Sequence, residues 1–416
     1  MVVFTAAPTN LYLSQNYIEG EELKSAMRFQ ENNSHLAVNS LIGNPDTSVT
    51  MGSPTILNRD DLKFLVNKLK KSFDWSNVED FTVEIDPRRV DAERLLYNYE
   101  ECGANRLSFG MQDFDENVQR RVNRIQPFEM FEKILTKEVR EAYKTIAFDL
   151  LVGQPGQTKE TMKKTCDQII ELKPTKVQTS LLAYKPWIAK AQIRMVEEGP
   201  LPDFMERKEL LDVINDKLEK AGYLRVAFES YALPSDPMIE AKKQGKVHYG
   251  AAGTQRGGRV NFVGVGSSTK GNLGDEYYSQ NAYNLDVYKK CIDKGIFPIH
   301  RGMKLSKDDK IRQHATQQLR TYWKIDYEDF KKRFGIDFKS YFKNEIESLS
   351  EMKKDGLVEI KENEIIVTKL GMDFAQFITN HFDVYDPPSK TYNERLVTIE
   401  KAKQDQAKSI EYFKNL

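Results

Sequence analysis

Strands and helices alternate over residues 83–126, and this alternation constrains the fold more than any other part of the chain. A strand-like run with polar residues at its end is followed by a helix that stops at Gly103, a second strand and a loop that opens another helix. This spacing predicts right-handed βαβ units and a parallel sheet. Ligands of such sheets bind at the carboxyl ends of the strands, where Glu84, Gln112 and Asp113 fall.

Composition limits the class of protein. The 416 residues, 40% of them hydrophobic and 30% charged, are enough for one large domain and a smaller one. The 62 basic and 62 acidic side chains cancel, so no nucleic-acid or membrane-surface partner is predicted. Cys102, Cys166 and Cys291 are too far apart for the disulfide framework of a secreted protein.

The N-terminal residues 1–13 carry no basic region and no apolar run long enough for a signal or a membrane span. Together with the unpaired cysteines, this predicts a cytoplasmic location and no membrane span. A small-molecule ligand is the partner class that remains.

Helical patterns replace the alternation after Arg301. A hairpin over 357–368 and a helix over 370–382 predict a winged-helix-like packing module, and the lack of a basic excess argues against DNA binding. A Pro-Pro-Ser hinge then leads to a charged helix over 393–413. Two interpretations of that tail stay open: it packs on its own barrel, or it contacts a protein partner.

Eight runs carry a resemblance to a known family: EIDPR at 84–88, NRLSFGMQDF at 105–114, VNRIQ at 122–126, FDLLVGQPGQT at 148–158, GYLRVAFESYALPSDP at 222–237, KVHYGAAGTQ at 246–255, VGVGSSTKGNLGDEYYSQN at 263–281 and RGMKLSKDDKIRQ at 301–313. With these runs the chain resembles the oxygen-independent coproporphyrinogen III oxidases, radical S-adenosylmethionine (SAM) enzymes of haem synthesis, up to about His381. Relatives on the same frame include haem chaperones, haem-degrading enzymes and methyltransferases, so the fold is better specified than the reaction.

The resemblance implies an α/β fold with three parts. Residues 1–300 are expected to form an incomplete (β/α)6 TIM-like barrel of the radical SAM type, with about six βα units. Residues 301–382 are expected to form the helical, winged-helix-like domain. Residues 383–416, the hinge and tail, extend beyond the resemblance.

The resemblance also implies a SAM site. Seven positions match SAM contacts of the family: Gly52, Ser53, Glu84, Gln112, Arg124, Asp149 and Ala183. Glu84 and Arg124 would lie around the methionine portion, and Gln112 and Asp149 around the ribose and the sulfonium. A carboxylate beside a sulfonium and an arginine beside a carboxylate are charge-assisted contacts.

A second set of residues is predicted to contact a tetrapyrrole or to dock the C-terminal domain. Asp309 and Arg312 match an Asp-x-x-Arg-Arg run of the family, whose second arginine is Gln313 here. His248 lies close to where related sequences keep a histidine, although a lone histidine is more often structural than a haem ligand. Haem or a porphyrin therefore stays open as a ligand.

The chain departs from the family where the metal centre is expected. Family members hold a [4Fe-4S] cluster with a Cys-x3-Cys-x2-Cys loop, and the matching positions here are Ala7, Leu11 and Ser14. Because iron-sulfur ligation needs clustered thiolates, no cluster, no metal ligand and no catalytic residue are predicted. Thr50 and Met51 also replace two glycines of the SAM loop.

Further departures lie beyond residue 228. The chain has Glu229-Ser230-Tyr231 where the family shows an Asp-His-Phe-type triplet, and Lys270 where it has an apolar residue beside the adenine.

Three hypotheses follow. The first is a cluster-less homologue that binds a tetrapyrrole, haem or SAM as a carrier or regulator without catalysis. The second is an active coproporphyrinogen III oxidase-like or haem-modifying radical SAM enzyme. The third is a structural subunit of a larger assembly. The missing thiolates weigh against the second. Between the first and the third, the retained SAM-site residues favour ligand binding, whereas Thr50, Met51 and Lys270 favour a pocket that no longer binds a ligand.

Overall fold

The structure, a computed structural model, describes residues 2–5, 47–52, 55, 57–72, 75, 78–184, 190–197, 199–250, 253–257, 263–273, 277–385 and 387–388. The cysteine-loop positions Ala7, Leu11 and Ser14, the predicted SAM contact Ser53 and the tail helix over 393–413 lie outside these residues. The chain divides into two compact units, each with its own core.

The described part of the first unit covers residues up to Lys246, together with Arg256 and Gly257. Its strands are β1 (Val2–Thr5), β2 (Thr47–Gly52), β3 (Val78–Ile85), β4 (Arg106–Gln112), β5 (Thr145–Val152), β6 (Lys176–Leu181), β7 (Leu224–Ala227) and β8 (Ser230–Ala232). Its helices are α1 (Arg59–Ser72), α2 (Ala92–Tyr97), α3 (Glu116–Arg121), α4 (Phe128–Ile134), α5 (Lys137–Ala142), α6 (Lys159–Leu172), α7 (Phe204–Lys220) and α8 (Pro237–Lys243), with 3-10 turns at Pro87–Arg89 and Lys190–Val196 and a π turn at Asn98–Cys102.

Strands β1 to β6 pair in parallel and in chain order, each joined to its neighbour in sequence. This arrangement confirms the predicted α/β fold with an incomplete (β/α)6 barrel. Parallel neighbours need crossover connections, and α1 and α6 supply two of them with apolar faces that cover the sheet.

The end of the sheet differs from a simple repeat. The strand β7 follows β6 in the chain but does not pair with it. The short strand β8 lies between them and is antiparallel to both. The connection from β7 to β8 is too short for the crossover that a parallel pair requires, so the chain turns back on itself.

The core of the first unit lies between the sheet and its helices. Phe109 on β4 and Phe148 on β5 are fully buried and contact Phe131 of α4, with ring centroids 5.8 and 5.3 Å from that ring. Each such side chain contributes roughly 1.5–3 kcal/mol when it leaves water. Because strand side chains alternate, burying these residues turns Ser108 and Asp149 to the opposite face, here called the inner face.

The second unit begins with β9 (Val247–Gly250). Its further strands are β10 (Gly253–Arg256, whose last residue belongs to the first unit), β11 (Val263–Val265), β12 (Lys270–Leu273), β13 (Tyr277–Asn281), β14 (Ile299–Lys304), β15 (Lys324–Asp326), β16 (Val358–Ile360) and β17 (Glu364–Val367). Its helices are α9 (Leu285–Asp293), α10 (Lys307–Thr321), α11 (Tyr327–Phe334), α12 (Phe338–Tyr341), α13 (Lys343–Ser348), α14 (Ser350–Lys354) and α15 (Ala375–Asn380), with a 3-10 turn at Gly371–Phe374.

The predicted hairpin over 357–368 is present as β16 and β17, and β15 joins it as a third strand that the sequence analysis did not predict. The helical pattern after Arg301 does not give one continuous helix over 338–354, because this stretch is divided into α12, α13 and α14. Phe342 causes the first break: it is completely buried against Phe338 and Phe382, and its backbone leaves the helical region at φ −106° and ψ 31°. Packing of this aromatic side chain overrides local helix propensity.

Compact packing divides the chain near residue 246, because strands β12 to β14 form an antiparallel sheet that belongs with the C-terminal helices. The boundaries predicted at residues 300 and 382 follow the family's domains and stay predictions. Among the described residues, no helix is long and apolar enough to cross a membrane. The cytoplasmic location stays a prediction.

Candidate functional site

Polar side chains line the inner face of β3 to β6. Glu84 is paired in register with Ser108, and Asp149 with Gln178, so these four residues of neighbouring strands share one face. Ser108 donates a hydrogen bond to Asp149, with 3.1 Å between Oγ and Oδ2. The inner face thus holds two carboxyl groups, those of Glu84 and Asp149, on β3 and β5.

Both carboxyl groups are poorly hydrated. Glu84 reaches solvent, but protein crowds its carboxyl group; this desolvation, with a smaller contribution from the nearby Asp149 carboxylate, raises its pKa to about 7. Burial also raises the pKa of Asp149, against the hydrogen bond from Ser108 and the positive charges of Lys176 and Arg124. A cation between Glu84 and Asp149 would hold both groups ionised, so the pair favours a cationic ligand.

Arg124 and Gln112 meet over Gly110 of β4. Arg124 Nη2 donates to the Gly110 carbonyl at 2.9 Å, and its Nε donates to Gln126 Oε1 at 3.2 Å. A methyl group on Gly110 would lie 2.8 Å from Arg124 Nη2 and 3.1 Å from Gln112 Nε2. A side chain at position 110 would therefore displace these two donors from their present positions.

Arg124 is half-buried, and burial lowers its pKa although Asp86 and Asp149 oppose this effect. An arginine remains charged under all ordinary conditions. Arg124 forms no salt bridge with the described residues. Its charge is thus available to a ligand carboxylate.

The remaining predicted SAM contacts are less fully placed. Gly52 ends β2, one residue beyond Met51, which pairs in register with Val83 of β3 and so brings Gly52 to the strand end beside Glu84. Ala183 is exposed two residues beyond β6, and its carbonyl accepts a hydrogen bond from Gln192 Nε2 at 3.1 Å. The structure brings Glu84, Asp149, Arg124 and Gln112 into one region, while the individual SAM contacts stay predictions.

Gln178 has a polar neighbour, Ser230, on the same face of the sheet. Gln178 pairs with Ser230 of β8, and the Gln178 Oε1 and Ser230 Oγ atoms are buried without a hydrogen-bond partner among the described residues. Buried polar atoms are nearly always satisfied, so these two call for a ligand or ordered water. The alternation of side chains along β6 could have identified Gln178 as an inner-face residue. Ser230 was noted in the sequence only as a departure from the family.

The second unit holds Asp309, Arg312 and His248. Ser306 is the N-cap of α10, and Asp309 completes the capping box by accepting a hydrogen bond from the Ser306 amide at 2.8 Å. Asp309 also accepts a hydrogen bond from the Tyr385 hydroxyl at 2.8 Å. Arg312 donates to Asp308 and Glu345, both at 2.8 Å, so carboxylates already compensate its charge.

Asp309 and Arg312 line a cavity of about 240 Å³ in this unit, together with apolar side chains such as Met303, Leu305 and Phe382. His248 is half-buried on β9 and is not among the lining residues; Lys270 is exposed on β12. Arg312 thus has a structural role in addition to any contact with a tetrapyrrole, which stays a prediction.

The inner face fits SAM. SAM carries a positive sulfonium and ammonium and a negative carboxylate, which complement Glu84, Asp149 and Arg124. Gln178 and Ser230 offer an unsatisfied acceptor and hydroxyl to a polar group.

The cysteines do not fit a [4Fe-4S] cluster. Cys102 lies in the π turn after α2, Cys166 on α6 and Cys291 on α9 of the other unit, and each is buried. Burial raises the pKa of all three thiols, that of Cys166 to about 12, and disfavours the thiolate that binds iron. Within the described residues, no group of three His, Cys, Asp or Glu side chains could hold a metal ion. That the protein carries no cluster stays a prediction.

Comparison with known proteins places the chain in a family. A family model of the radical SAM superfamily matches residues 38–169, and a model of the HemN C-terminal domain matches residues 305–374. The oxygen-independent coproporphyrinogen III oxidase of Helicobacter pylori strain 26695 is 32% identical over 335 residues, 80% of this chain and 73% of that protein. The enzyme of that name from Pseudomonas aeruginosa is 32% identical over 81% of this chain and 73% of its own length.

A solved structure agrees with the sequence relatives. The coproporphyrinogen III oxidase HemN of Escherichia coli, described as a radical SAM enzyme, superposes with a TM-score of 0.80 at 26% identity and covers 92% of this chain and 90% of that one. The chain therefore belongs to the oxygen-independent coproporphyrinogen III oxidase family of the radical SAM superfamily.

Proposed function

We propose that this protein binds SAM on the inner face of its barrel without a thiolate-held cluster, and that it acts as a carrier or regulator rather than as a radical enzyme. One observation carries the proposal: Glu84, Asp149 and Arg124 meet at the strand ends, while the three cysteines lie on separate elements. In this proposal the protein keeps the residues that bind SAM and lacks the thiolates that would hold the cluster.

Electrostatics supports SAM over a neutral nucleoside. Two carboxyl groups with raised pKa values gain most from a ligand with two positive charges, because the ligand replaces hydration that the protein has removed. Arg124, which no salt bridge with the described residues holds, adds a positive charge for the ligand carboxylate. Adenosine offers none of these charges, so it should bind more weakly.

The tetrapyrrole part of the proposal rests on family membership. The relatives are named for their action on coproporphyrinogen, and this chain keeps Asp309 and Arg312 beside a largely apolar cavity. If the protein binds a tetrapyrrole and does not oxidise it, its role is that of a carrier. We propose tetrapyrrole binding as the second property to test.

Coproporphyrinogen III oxidase activity is the second candidate function. It is supported by 31–32% identity to proteins of that name over most of the chain and by the HemN-like fold. It requires a cluster held by ligands other than a cysteine triad, since the sequence contains three cysteines at positions 102, 166 and 291.

One experiment separates the candidates. The purified full chain is titrated with SAM by calorimetry, before and after anaerobic reconstitution with iron and sulfide. We expect saturable SAM binding in both samples and well under one cluster per chain. Stoichiometric iron and sulfide with the charge-transfer absorption of a cluster would overturn the cluster-less proposal and favour the oxidase.

A pair of arginine variants locates the site. Arg124→Met should weaken SAM binding by about 10-fold or more, since it removes a charge-assisted contact of about 1.5–3 kcal/mol. Arg140→Met is the matched control, because Arg140 is also half-buried and donates to a backbone carbonyl, that of Leu135 at 3.1 Å. Equal affinities of the two variants would show that SAM binds elsewhere.

A further inference from the structure

We infer that Gln126, supported by a buried amide network around Asp113, positions Arg124 and keeps its charge free for the carboxylate of the ligand. This inference rests on the proposed function and adds to it a determinant of specificity.

Gln126 joins Arg124 to the end of β4. Its side chain is completely buried, and Nε2 donates to the carbonyls of Gly110 at 3.0 Å and Met111 at 2.8 Å. Its Oε1 atom accepts the hydrogen bond from Arg124 Nε at 3.2 Å. The Gln126 side-chain amide thus bonds to two carbonyls of β4 and to the guanidinium of Arg124.

Gln119 of α3 holds the backbone of Gln126. Gln119 Nε2 donates to the Gln126 carbonyl and Oε1 accepts from the Gln126 amide, both at 2.8 Å. The same Nε2 donates to the Asp113 carbonyl at 2.9 Å. A loop residue whose two backbone groups are both bonded to one buried side chain has little freedom to shift.

Asp113 extends the network to the next strand. It is 1% exposed and accepts hydrogen bonds from Thr165 Oγ1 at 2.7 Å and Gln157 Nε2 at 2.6 Å. Gln157 Oε1 in turn accepts from the backbone amides of Gly153 and Gln154 at 2.7 and 2.9 Å. The ends of β4 and β5 are therefore tied to each other and to α6.

The network also fixes the backbone of Gln112. This residue has φ +69°, a left-handed conformation that is strained for a residue other than glycine. It precedes Asp113, and its carbonyl accepts from Gln154 Nε2 at 3.3 Å. Strain of this kind persists where the surrounding bonds over-determine the chain, and here it aims Gln112 toward Gly110 and Arg124.

The chemical point is that both acceptors of Arg124 are neutral. Gln126 Oε1 and the Gly110 carbonyl orient the guanidinium without cancelling its charge. Arg312 of the second unit shows the opposite arrangement, since Asp308 and Glu345 hold it by ion pairs. A glutamate in place of Gln126 would give Arg124 an internal ion pair that competes with a ligand carboxylate.

The test compares SAM with decarboxylated SAM, which keeps both positive charges and lacks only the carboxylate. We expect the wild-type protein to prefer SAM. Gln126→Glu places a negative charge beside Arg124, and Gln126→Met removes the hydrogen bond that holds Arg124. Each variant should bind SAM about 10-fold more weakly than the wild type and bind decarboxylated SAM with an affinity within about twofold of the wild-type value. Calorimetry of the full chain measures all of these constants.

Asn105 provides the matched control, because its side-chain amide also bonds to backbone groups next to β4. It lies just before β4, at the end opposite Gln112, where its amide donates to the Glu79 carbonyl at 2.8 Å and accepts from the Phe81 amide at 3.0 Å. Asn105→Leu and Asn105→Asp should lower stability and preserve the preference for SAM. If Gln126→Met does not fold, Gln126→Asn, which keeps the amide but shortens its reach, replaces it with the same expectation.

The outcomes are distinct. If both ligands weaken equally in the Gln126 variants, or neither changes, the inference is wrong and the network is only structural. A wild-type protein that binds both ligands equally well also overturns it. If the wild-type protein binds neither ligand, the proposed function itself fails and this inference falls with it.

Discussion

At the scale of single residues, Glu84 combines an exposed position with a raised pKa. Its carboxyl group lies among protein atoms and near a second acid, Asp149, so the protonated form is favoured in the folded state up to a pH of about 7. In the unfolded chain the same group ionises near pH 4.5. Between these values the folded state binds one more proton at this position, and stability from Glu84 decreases as the pH rises.

Glu84→Gln should therefore remove part of this loss of stability. Without ligand, we expect the variant to be more stable than the wild type by about 1 kcal/mol at pH 8 and equally stable near pH 4. The value at pH 8 is less than the full linkage energy because Glu84 reaches solvent. Urea unfolding at both pH values measures the difference. Identical pH profiles for the two proteins would show that Glu84 titrates normally.

Gly110 offers a second test at the residue scale. Gly110→Ala would place a methyl group 2.8 Å from Arg124 Nη2, so we expect SAM affinity to fall by about 10-fold as the guanidinium moves aside. Gly245→Ala is the control: that glycine has φ +70° with nothing within 4 Å, and the alanine should cost about 1 kcal/mol of stability without affecting SAM. Unchanged SAM binding in Gly110→Ala would argue against Arg124 as a ligand contact.

At the scale of elements, a buried ion pair joins β3 and β4 at the end opposite the candidate site. Arg106 Nη1 lies 2.9 Å from Asp80 Oδ2, and Arg256 also binds Asp80, with Nε 2.5 Å from Oδ2. Burial works against the charge on Asp80, but the two arginines together lower its pKa. The stabilisation is present above the usual pKa of an aspartate and is lost as the pH falls through the lowered value.

Arg106→Met should destabilise the protein by about 2–3 kcal/mol, less than the removal of a sole partner, because Arg256 still compensates Asp80. Acid unfolding should then begin at a higher pH than in the wild type. Asp80→Asn combined with Arg106→Met should cost less than the sum of the single variants, as expected for residues in contact. Additive costs would show that the two side chains do not interact in solution.

At the scale of the whole molecule, the buried cysteines report on the two units separately. Cys102 and Cys166 belong to the first unit, which holds the candidate SAM site, and Cys291 belongs to the second. A ligand stabilises the unit to which it binds by an amount set by its concentration relative to Kd, about 2.7 kcal/mol at 100 times Kd.

Thiol alkylation in increasing urea, read by mass spectrometry, should therefore show a SAM-dependent shift for Cys102 and Cys166 that exceeds the shift for Cys291. The reason is that a thiol buried in a core reacts only when its unit opens. Equal shifts for all three cysteines would mean that the units unfold as one cooperative body. A larger shift for Cys291 would show that SAM binds to the second unit.

Much of the fold could be predicted from the sequence by itself. The alternation of strands and helices over residues 83–126 predicts a parallel α/β sheet, because parallel neighbours need crossover connections. In that sheet Phe109 and Phe148 are buried on one face, and Asp149 is turned to the other. The polar residues that follow the apolar run of β3 also predict that Glu84 lies near a strand end. The replacement of the cysteine loop is also a property of sequence alone.

Only the tertiary structure decided how these residues act. The antiparallel insertion of β8, which leaves Ser230 and Gln178 unsatisfied side by side, depends on a short turn that has no strong sequence signal. The neutral tether of Arg124 by Gln126 depends on strand carbonyls distant in the chain. Local patterns determine on which face of the sheet a side chain lies, whereas packing between elements determines its partners. These partners in turn decide whether a charge forms an ion pair within the protein or stays available to a ligand.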